Sequence, residues 1–340
     1  MSNLFQKAAV FTDIHFGLKS NSITHNEDCL AFVRWAVDLA KQQGCETCLF
    51  LGDWHNNRAA LNILTLNYSL RALEYMNANF DQVYFIPGNH DLYYRDKRDV
   101  QSVEWAKHLS KVHIVNDWFS MGDVVIAPWL VGDDHKKLLK KKGKYCFGHF
   151  ELPGYFMNAM VQMPDVGEAR REDFVGFEHV FTGHFHKRQS ANNITYIGNT
   201  FPHNYADDGD EQRGLMILEW GKEPEYHAWP DQPTYRVLSL SSIVTSPETI
   251  FKPKMHARVN IDIDLSYEEA TFIKETFVDT YKLRELSLIP KKDIEVTADV
   301  TGEIKFESID TIVQNQINAI SSEHYDPKLL LDIYRDRKST

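Results

Sequence analysis

The sequence of 340 residues has little cysteine and carries no excess of positive charge. Only four cysteines occur, and although Cys45 and Cys48 form a CxxC pair, no second pair stands at the spacing of a zinc ribbon. We therefore expect these two residues, together with Cys29 and Cys146, to be small buried side chains without chemistry.

Long apolar runs are also missing. The first residues contain no apolar stretch of signal-peptide length, and no later segment approaches the roughly 20 apolar residues of a membrane span. The sequence therefore predicts a cytoplasmic protein without membrane association.

Lysine and arginine number 37 against 48 acidic residues, which gives a formal net charge of −11. This balance argues against a surface coated in positive charge for nucleic acid. Bound divalent cations would offset it locally, and lysines also cluster over residues 136–144. On a helix, Lys136 and Lys140 would share a face. The cluster is either a solvated surface helix or a contact to a phosphate backbone.

Residues 1–230 alternate between strand-like and helix-like patterns, which predicts a layered α/β domain. Asn26 can cap a first long helix that stops at Gly44. Short strands between 110 and 230 predict a second sheet stacked on the first. The expected strands are 47–51, 82–86, 112–115, 123–127, 145–148, 179–182, 194–197, 214–219 and 225–229.

A helix expected near 59–78 carries apolar residues on two opposite faces. One face can pack on the sheet, and the other needs a partner, either a second copy of the chain or a neighbouring helix around 100–110. The two faces hold Ile63, Leu66, Leu70 and Leu73, and Leu61, Leu64, Tyr68 and Tyr75.

Two prolines within residues 229–233 mark a domain boundary. Residues 234–300 then predict a small α+β module, with strands near 235–240, 256–263, 284–288 and 294–298 and a helix over 266–281. Residues 306–336 predict a pair of C-terminal helices.

Five short polar blocks each follow an apolar, strand-like stretch. Strand ends are where open α/β sheets place their ligand sites, and carboxylate, amide and imidazole groups suit a pair of divalent ions that share a carboxylate. The series predicts a two-metal phosphoesterase. The blocks are Asp13-Ile14-His15, Gly52-Asp53, Gly88-Asn89-His90-Asp91, Gly148-His149 and Gly183-His184-Phe185-His186.

Each block offers a part of this chemistry. Asp53, at the tip of the second strand, is the natural bridging carboxylate. Two divalent ions lower the pKa of a bridging water and neutralise charge that develops on a phosphodiester. The other expected ligands, a mixed set of N and O donors compatible with Mn²⁺, Fe²⁺ or Zn²⁺, are Asp13, His15, Asn89, His149, His184 and His186.

His90 is expected to be catalytic and not a ligand, with the adjacent Asp91 as its partner. A histidine held by a carboxylate can stay protonated, stabilise the pentavalent phosphorus and protonate the leaving alkoxide. His55 either contacts the phosphate or lines the rim of the site. The histidines expected to be ordinary surface or core residues are His25, His108, His113, His179 and His203.

The blocks DxH, GD, GNHD, GH and GHxH resemble the calcineurin-like binuclear metallophosphoesterases over roughly residues 8–220. Within that superfamily the chain is similar to the SbcD-type double-strand-break repair nucleases, and among them to phage recombination nuclease subunits. The stretches that carry this similarity are 13–17 (DIHFG), 148–154 (GHFELPG) and 183–186 (GHFH) with 194–199 (ITYIGN) after it. The family often writes GDxF followed by Asp or His, whereas Asp53 is followed here by Trp54-His55-Asn56, which puts the role of His55 in doubt.

The resemblance implies a four-layer α/β/β/α core, a DNA-capping domain at about 234–300 and a helical pair at 306–336. This pair would dock on an SMC-like coiled-coil ATPase of the SbcC type, or pack on its own capping domain. The implied metal is a pair of Mn²⁺ ions, with Mg²⁺, Fe²⁺ and Zn²⁺ as alternatives, and the implied assembly is a homodimer. One ion would be held by Asp13, His15, Asp53 and His186, and the other by Asp53, Asn89, His149 and His184.

The expected activity is that of a manganese-dependent DNA nuclease, the catalytic subunit of an ATPase–nuclease complex in recombination, repair and end processing. It would combine 3′→5′ exonuclease with structure-dependent endonuclease action on duplex ends and single strands. The alternative is a small-molecule phosphodiesterase or a protein phosphatase on the same core.

Overall fold

The computed structural model describes residues 3–157 and 161–290, together with Leu329 and Leu331, which are helical. Residues 1–291 form one compact unit and residues 292–340 a second. The strand expected at 294–298 and nearly all of the helical pair expected at 306–336 lie outside the described residues.

The strands and helices follow one another much as the sequence predicts. In chain order the strands are β1 (Lys7–Phe11), β2 (Thr47–Phe50), β3 (Gln82–Phe85), β4 (Val112–Ile114), β5 (Phe119–Met121), β6 (Val124–Ile126), β7 (Gly143–His149), β8 (Phe177–Gly183), β9 (Gln189–Ala191), β10 (Ile194–Tyr196), β11 (Gly214–Glu219), β12 (Glu225–Ala228), β13 (Thr234–Ser239), β14 (Met255–Asn260) and β15 (Glu285–Ile289). The helices are α1 (Leu18–Asn21), α2 (Ile23–Gln42), α3 (Ile63–Asn79), α4 (Asp134–Leu138), α5 (Leu240–Thr245), α6 (Pro247–Ile250) and α7 (Tyr267–Tyr281).

The first sheet has the strand order β12-β11-β1-β2-β3-β4. Strands β1 to β4 are parallel, and β11 closes the other side antiparallel to β1. We expected β4, β11 and β12 in the second sheet, and that assignment is wrong. The apolar run of β11 is buried along nearly its whole length, so it fits beside the buried β1 in the middle of the first sheet.

The second sheet has the order β5-β6-β7-β8-β10-β9 and is parallel from β6 through β10. Apolar side chains from both sheets interlock between them, among them Val10, Leu49, Phe147 and Phe181. The opposite face of the first sheet is covered by α2 and α3. The outer face of the second sheet is covered by the short α4 and by loops. These four layers confirm the predicted fold class.

Helix α3 buries a face that the sequence did not predict. Of the stripe formed by Ile63, Leu66, Leu70 and Leu73, only Leu73 is buried, and Ile63 is 86% exposed. Small and polar residues lie inward, because they make hydrogen bonds to buried groups: Ser69 Oγ accepts from Trp54 Nε1 at 2.7 Å. On the opposite stripe, the Tyr75 hydroxyl donates to Asp38 of α2 at 2.6 Å. Helix α2 therefore covers part of this second stripe, for which we expected a second copy of the chain or a helix around 100–110.

Two local expectations are corrected. Helix α2 is capped by Ser22, which accepts from the His25 N–H, whereas Asn26 is buried and accepts from the Gly17 N–H at 2.8 Å.

The expected lysine helix is confined to the five residues of α4, so residues 136 and 140 do not share a continuous helix. Lys136 is paired with Asp133, as Lys144 of β7 is with Glu178.

The third sheet is parallel, with the order β13-β14-β15, and α7 packs against β15. Its apolar core is separate from those of the first two sheets. Ion pairs attach it to the remainder of residues 1–291: Arg284 Nη2 lies 2.7 Å from Asp28 Oδ1 of α2. The boundaries expected for a capping domain remain predictions.

All four cysteines are free and buried, as expected. Among the described residues, no helix combines the length and the apolar character that crossing a bilayer would require.

Candidate metal centre

The carboxyl ends of the parallel strands of both sheets meet at one edge of the core, and the predicted ligands come together there. Strands β1, β2 and β3 of the first sheet deliver residues in the loops that follow them. Strands β7 and β8 of the second sheet do the same from the facing side. The residues brought together are Asp13, His15, Asp53, Asn89, His149, His184 and His186.

Backbone hydrogen bonds continue past the ends of β1 and β2 and fix the first two loops on each other. The Asp13 N–H donates to the Gly52 carbonyl at 2.9 Å, and the His15 N–H donates to the Asp53 carbonyl at 3.1 Å. Asp13, His15 and Asp53 all have positive φ, between 53° and 60°. Such conformations cost about 1–3 kcal/mol each and persist where the surroundings enforce them, as at functional sites.

Glycines in the motifs leave room for the neighbouring side chains. A Cβ on Gly52, whose φ is +106°, would collide with the imidazole of His149, and one on Gly88 would collide with the Asp53 carboxylate. The sequence blocks GD and GNHD therefore require glycine because ligand-type side chains occupy the space of a Cβ.

One group of donors surrounds the Nε2 atom of His15. His186 Nε2 lies 3.2 Å from it, Asp53 Oδ2 lies 3.7 Å away and Asp13 Oδ1 lies 3.9 Å away. Asp13 is completely buried, and its carboxylate accepts the backbone N–H of His184 at 3.0 Å. This hydrogen bond links the loop after β8 to the loop after β1.

A second group lies on the other side of Asp53. His149 Nε2 is 3.4 Å from Asp53 Oδ2 and 3.2 Å from Asn89 Oδ1. His184 Nδ1 is 3.0 Å from the same Asn89 oxygen, and its Nε2 is 3.7 Å from Glu151 Oε1. Asp53 is thus the carboxylate that the two groups share.

Burial and mutual charge shift the pKa values of these groups in different directions. Burial raises the pKa of Asp13 to about 7. Burial would also raise the pKa of Asp53, but the charge of His149 holds it well below its usual range. Conversely, the Asp53 carboxylate overcomes the effect of burial on His149 and raises the pKa of this histidine to about 9. Burial lowers the pKa of His186 to about 4.

The donor set fits two divalent ions. His15 Nδ1 has no hydrogen-bond partner in the described structure, and its Nε2 faces another ring nitrogen. Carboxylate, amide and imidazole donors of this kind suit Mn²⁺, Fe²⁺ or Zn²⁺. Asp13, His15 and Asp53 could hold one ion, and Asp53, His149 and His184 could hold the other. His186 and Asn89 lie beside the first and second group, respectively.

His90 lies at the mouth of the site, and its contacts differ from those expected. Its Nδ1 is 2.8 Å from the carbonyl of Asn56, and its backbone N–H donates to Asp53 Oδ1 at 2.9 Å. The carboxylate of Asp91 is bound by other groups. It accepts the backbone N–H groups of Trp54 at 3.0 Å and of His55 at 2.8 Å. The expectation that Asp91 holds the His90 ring is not met by these contacts, because the carboxylate is used to fix the loop after β2.

His55 is fully buried and lies beneath the loop. Its Nδ1 is 2.7 Å from Ser102 Oγ and its Nε2 is 2.8 Å from Ser69 Oγ. Burial lowers its pKa to about 3, so the ring is neutral. Nε2 ties the loop after β2 to α3, and Nδ1 ties it to the segment after β3. Neither interpretation offered for His55, phosphate contact or rim, describes this position.

The sequence did not single out His203, which the structure places at the metal centre, beside His15 and His186. Its ring centroid lies 5.5 Å from that of His15 and 5.4 Å from that of His186. We expected an ordinary residue, because a lone histidine is more often a surface or core residue than a ligand. A usable signal was its place shortly after β10, at the same sheet edge as the other site residues.

A cleft of about 170 Å³ opens onto the site. Its wall includes His15, Asp53 and His186 from the metal-binding groups, His90 at the mouth, and His203. A phosphate group that enters this cleft meets the first group of donors and His90 together.

The chain is similar to several known proteins. Exonuclease subunit 1 of Enterobacteria phage T4 is 23% identical over 335 residues, which cover 91% of this chain and 91% of that protein. A dimetal phosphatase from Danio rerio is 12% identical, covering 65% of this chain and 96% of that one with a TM-score of 0.40. The phosphoesterase YfcE from E. coli is 16% identical, covering 66% and 94%, respectively, with a TM-score of 0.33.

Residues 7–188, more than half of the chain, match the family of calcineurin-like phosphoesterases. This stretch contains both sheets' ligand-bearing strand ends, from the loop after β1 to the loop after β8. The match confirms the expectation of a metal-dependent phosphoesterase, which the family implies to have a binuclear metal site. The chain belongs to the calcineurin-like phosphoesterase family.

Proposed function

We propose that this protein is an SbcD-type, manganese-dependent DNA nuclease that cleaves phosphodiester bonds in the cytoplasm, as the catalytic subunit of a complex with an SMC-like ATPase. The observation that carries the proposal is the convergence of two donor groups on the shared carboxylate of Asp53. The phage relative, which is named an exonuclease subunit and matches along 91% of this chain, supports DNA as the substrate and a partner subunit.

In this proposal one ion is held by Asp13, His15, Asp53 and His186, and the other by Asp53, Asn89, His149 and His184. When bound, the two ions activate a water molecule as the nucleophile and neutralise charge on the phosphate. The chain's own contribution is to hold the donors in place: the Leu51 carbonyl lies 2.6 Å from His149 Nδ1, which leaves Nε2 for the ion.

His90 is proposed as the acid that protonates the leaving oxygen. Its Nδ1–H donates to the Asn56 carbonyl, and this contact orients the ring with Nε2 on the side of the cleft that His90 lines. A proton on Nε2 can then be transferred to the alkoxide that leaves the phosphorus. Asp91 acts as a positioning residue, because it holds the backbone of the loop that carries Asp53.

The assembly proposed is a homodimer whose contact includes α3. Ile63 and Leu64 in the first turn of this helix are 86% and 40% exposed, and exposed apolar surface supports a protein–protein contact. We also propose that residues 234–300 cap the DNA and that residues 306–336 dock on the ATPase. The ion pair of Arg284 with Asp28 supports a capping role, since it attaches the third sheet to the core.

The test is the degradation of end-labelled linear duplex and single-stranded DNA by the purified chain with Mn²⁺, Mg²⁺ or EDTA. We expect digestion with Mn²⁺, and a loss of about 10²- to 10⁴-fold in His90→Ala. Mn²⁺ binding should be unchanged in this variant, because the His90 ring is not among the proposed ligands. His113→Ala, on the exposed edge of β4, is the control and should match the wild type.

Two results would contradict the proposal. Intact DNA together with Mn²⁺-dependent hydrolysis of bis-(p-nitrophenyl) phosphate would favour the alternative, a phosphodiesterase for another substrate on the same core. Full activity in His90→Ala would show that a different group protonates the leaving oxygen.

A further inference from the structure

His203 is a buried histidine whose ring has no hydrogen-bond partner in the described structure. The residue is 1% exposed, and neither Nδ1 nor Nε2 has a donor or acceptor within reach. Burying a polar ring without a partner costs free energy, so each such group calls for an explanation. An absent ion is one explanation that the surroundings can test.

The surroundings of His203 are rich in metal-binding groups. His15, His186 and His203 each offer a ring nitrogen, and these three atoms all lie within 4.8 Å of one another. The His203 ring contacts the rings of His15 and His186, with centroids 5.5 and 5.4 Å away, and also those of His25 and Phe201, at 5.5 and 5.1 Å. The His203 ring therefore lies directly against the first group of donors.

The backbone of His203 is fixed by the same network that fixes His186. Asp207 Oδ2 accepts the His203 N–H at 2.8 Å, and Asp207 Oδ1 accepts Arg213 Nη2 at 3.1 Å. The buried Arg213 also donates to the carbonyl of His186 at 2.5 Å. One arginine and one aspartate thus hold the two histidine-bearing loops in a common frame, which is how groups behind a metal site orient its ligands.

We propose that His203 is a further imidazole ligand of the ion held by Asp13, His15 and His186. The proposal rests on the proposed function only in requiring that ion. It gives this ion three imidazoles, whereas the ion at Asn89 has two. Imidazole ligands favour Zn²⁺ and Fe²⁺, whereas carboxylate ligands favour Mn²⁺. His203 therefore shifts the metal preference of this one site toward Zn²⁺ and Fe²⁺.

The competing interpretation is that His203 merely fills space between Phe201 and the site. The two interpretations differ in the outcome of His203→Phe, which keeps a ring of similar size and removes both nitrogens. The matched control is His179→Phe. His179 lies on β8, near the end of the strand away from His184, and its ring is stacked against those of Tyr145 and Phe181.

The experiment is calorimetric titration of metal-free protein with Mn²⁺ and with Zn²⁺. We expect two ions in the wild type and in His179→Phe. In His203→Phe one of the two sites should lose affinity by about 10- to 100-fold, with the larger loss for Zn²⁺, while the other site is unchanged. Unchanged affinity of both sites in a folded His203→Phe would overturn the proposal.

A second measurement on the wild type removes any dependence on the folding of the variant. In protein labelled with ¹⁵N-histidine, the ring-nitrogen signals of His203 should shift on binding Zn²⁺ to the range of a coordinated imidazole. A signal that stays at the position of a free neutral ring would also overturn the proposal. If the wild type binds no pair of divalent ions, the proposed function fails as well; if it binds two and His203 does not respond, only the present inference fails.

Discussion

The Nε2 atoms of His15 and His186 face each other across 3.2 Å, although 171 positions separate the two residues in the chain. The carboxylates of Asp13 and Asp53 lie within 4 Å of the same His15 nitrogen. Assembling buried acids and imidazoles is unfavourable without a compensating charge. The fold therefore prepares a cavity for a cation, and its stability should depend on that cation.

The first prediction concerns this linkage. A ligand that binds only the folded state stabilises it by about 2.7 kcal/mol at a concentration 100-fold above its dissociation constant. Mn²⁺ should raise the urea midpoint of the wild type relative to EDTA, and His186→Ala should lose about half of this gain because one site is damaged. His113→Ala should retain all of it. An equal Mn²⁺ effect in the wild type and in His186→Ala would contradict the placement of His186 on an ion.

The second prediction concerns Asp91, whose carboxylate accepts the backbone N–H groups of Trp54, His55 and Gly88. In Asp91→Asn one of these N–H groups faces an amide NH₂, and an unsatisfied buried donor costs about 1–3 kcal/mol. Urea unfolding of the metal-free protein should show this loss.

Metal binding separates positioning by Asp91 from a purely structural role. The loop that Asp91 holds carries Asp53, the ligand proposed for both ions. Calorimetry should therefore show weakened Mn²⁺ binding at both metal sites in Asp91→Asn. The exposed Asp99→Asn is the matched control for charge removal. Lower stability with wild-type metal affinity would show that the hydrogen bonds of Asp91 serve the fold alone.

The sequence was informative where the signal is local. The polar blocks after β1, β2, β3, β7 and β8 were readable because each follows an apolar strand, and parallel strands bring their carboxyl ends to one edge. The position of His203 could not be predicted, since it depends on a ring contact with His15, a residue that is distant in the chain. The inward face of α3 was mispredicted for the same reason: Ser69 is buried because of its bonds to Trp54 and His55, which no helical periodicity contains.

The third prediction concerns pH. Burial and the positive charge of Lys19 lower the pKa of His256 to about 4, and Arg284 acts in the same direction while Glu285 opposes both. The folded state therefore keeps this ring neutral at pH values where the unfolded chain, with a pKa near 6.5, binds a proton. Stability from His256 is fully present above pH 6.5 and is lost as the pH falls toward 4.

His256→Phe should reduce this pH dependence and preserve the packing, because the ring is stacked on Tyr235 with centroids 4.6 Å apart. Since the ring edge reaches solvent, the effect should be smaller than the about 1.4 kcal/mol per pH unit of a fully sequestered group. The measurement is the urea midpoint between pH 7 and pH 5. The same slope in the variant and the wild type would assign the pH dependence to other groups.

The last prediction concerns the proposed dimer. Ile63 is 86% exposed on α3, and a glutamate there would place charges at the contact between the two copies, where their burial is costly. Ile63→Glu should therefore be a monomer in light scattering at micromolar concentration, whereas the wild type should be a dimer. Val175→Glu, at a site that is 82% exposed over the second sheet, should remain a dimer. A dimeric Ile63→Glu would place the contact elsewhere, and a monomeric wild type would remove the dimer from the proposal.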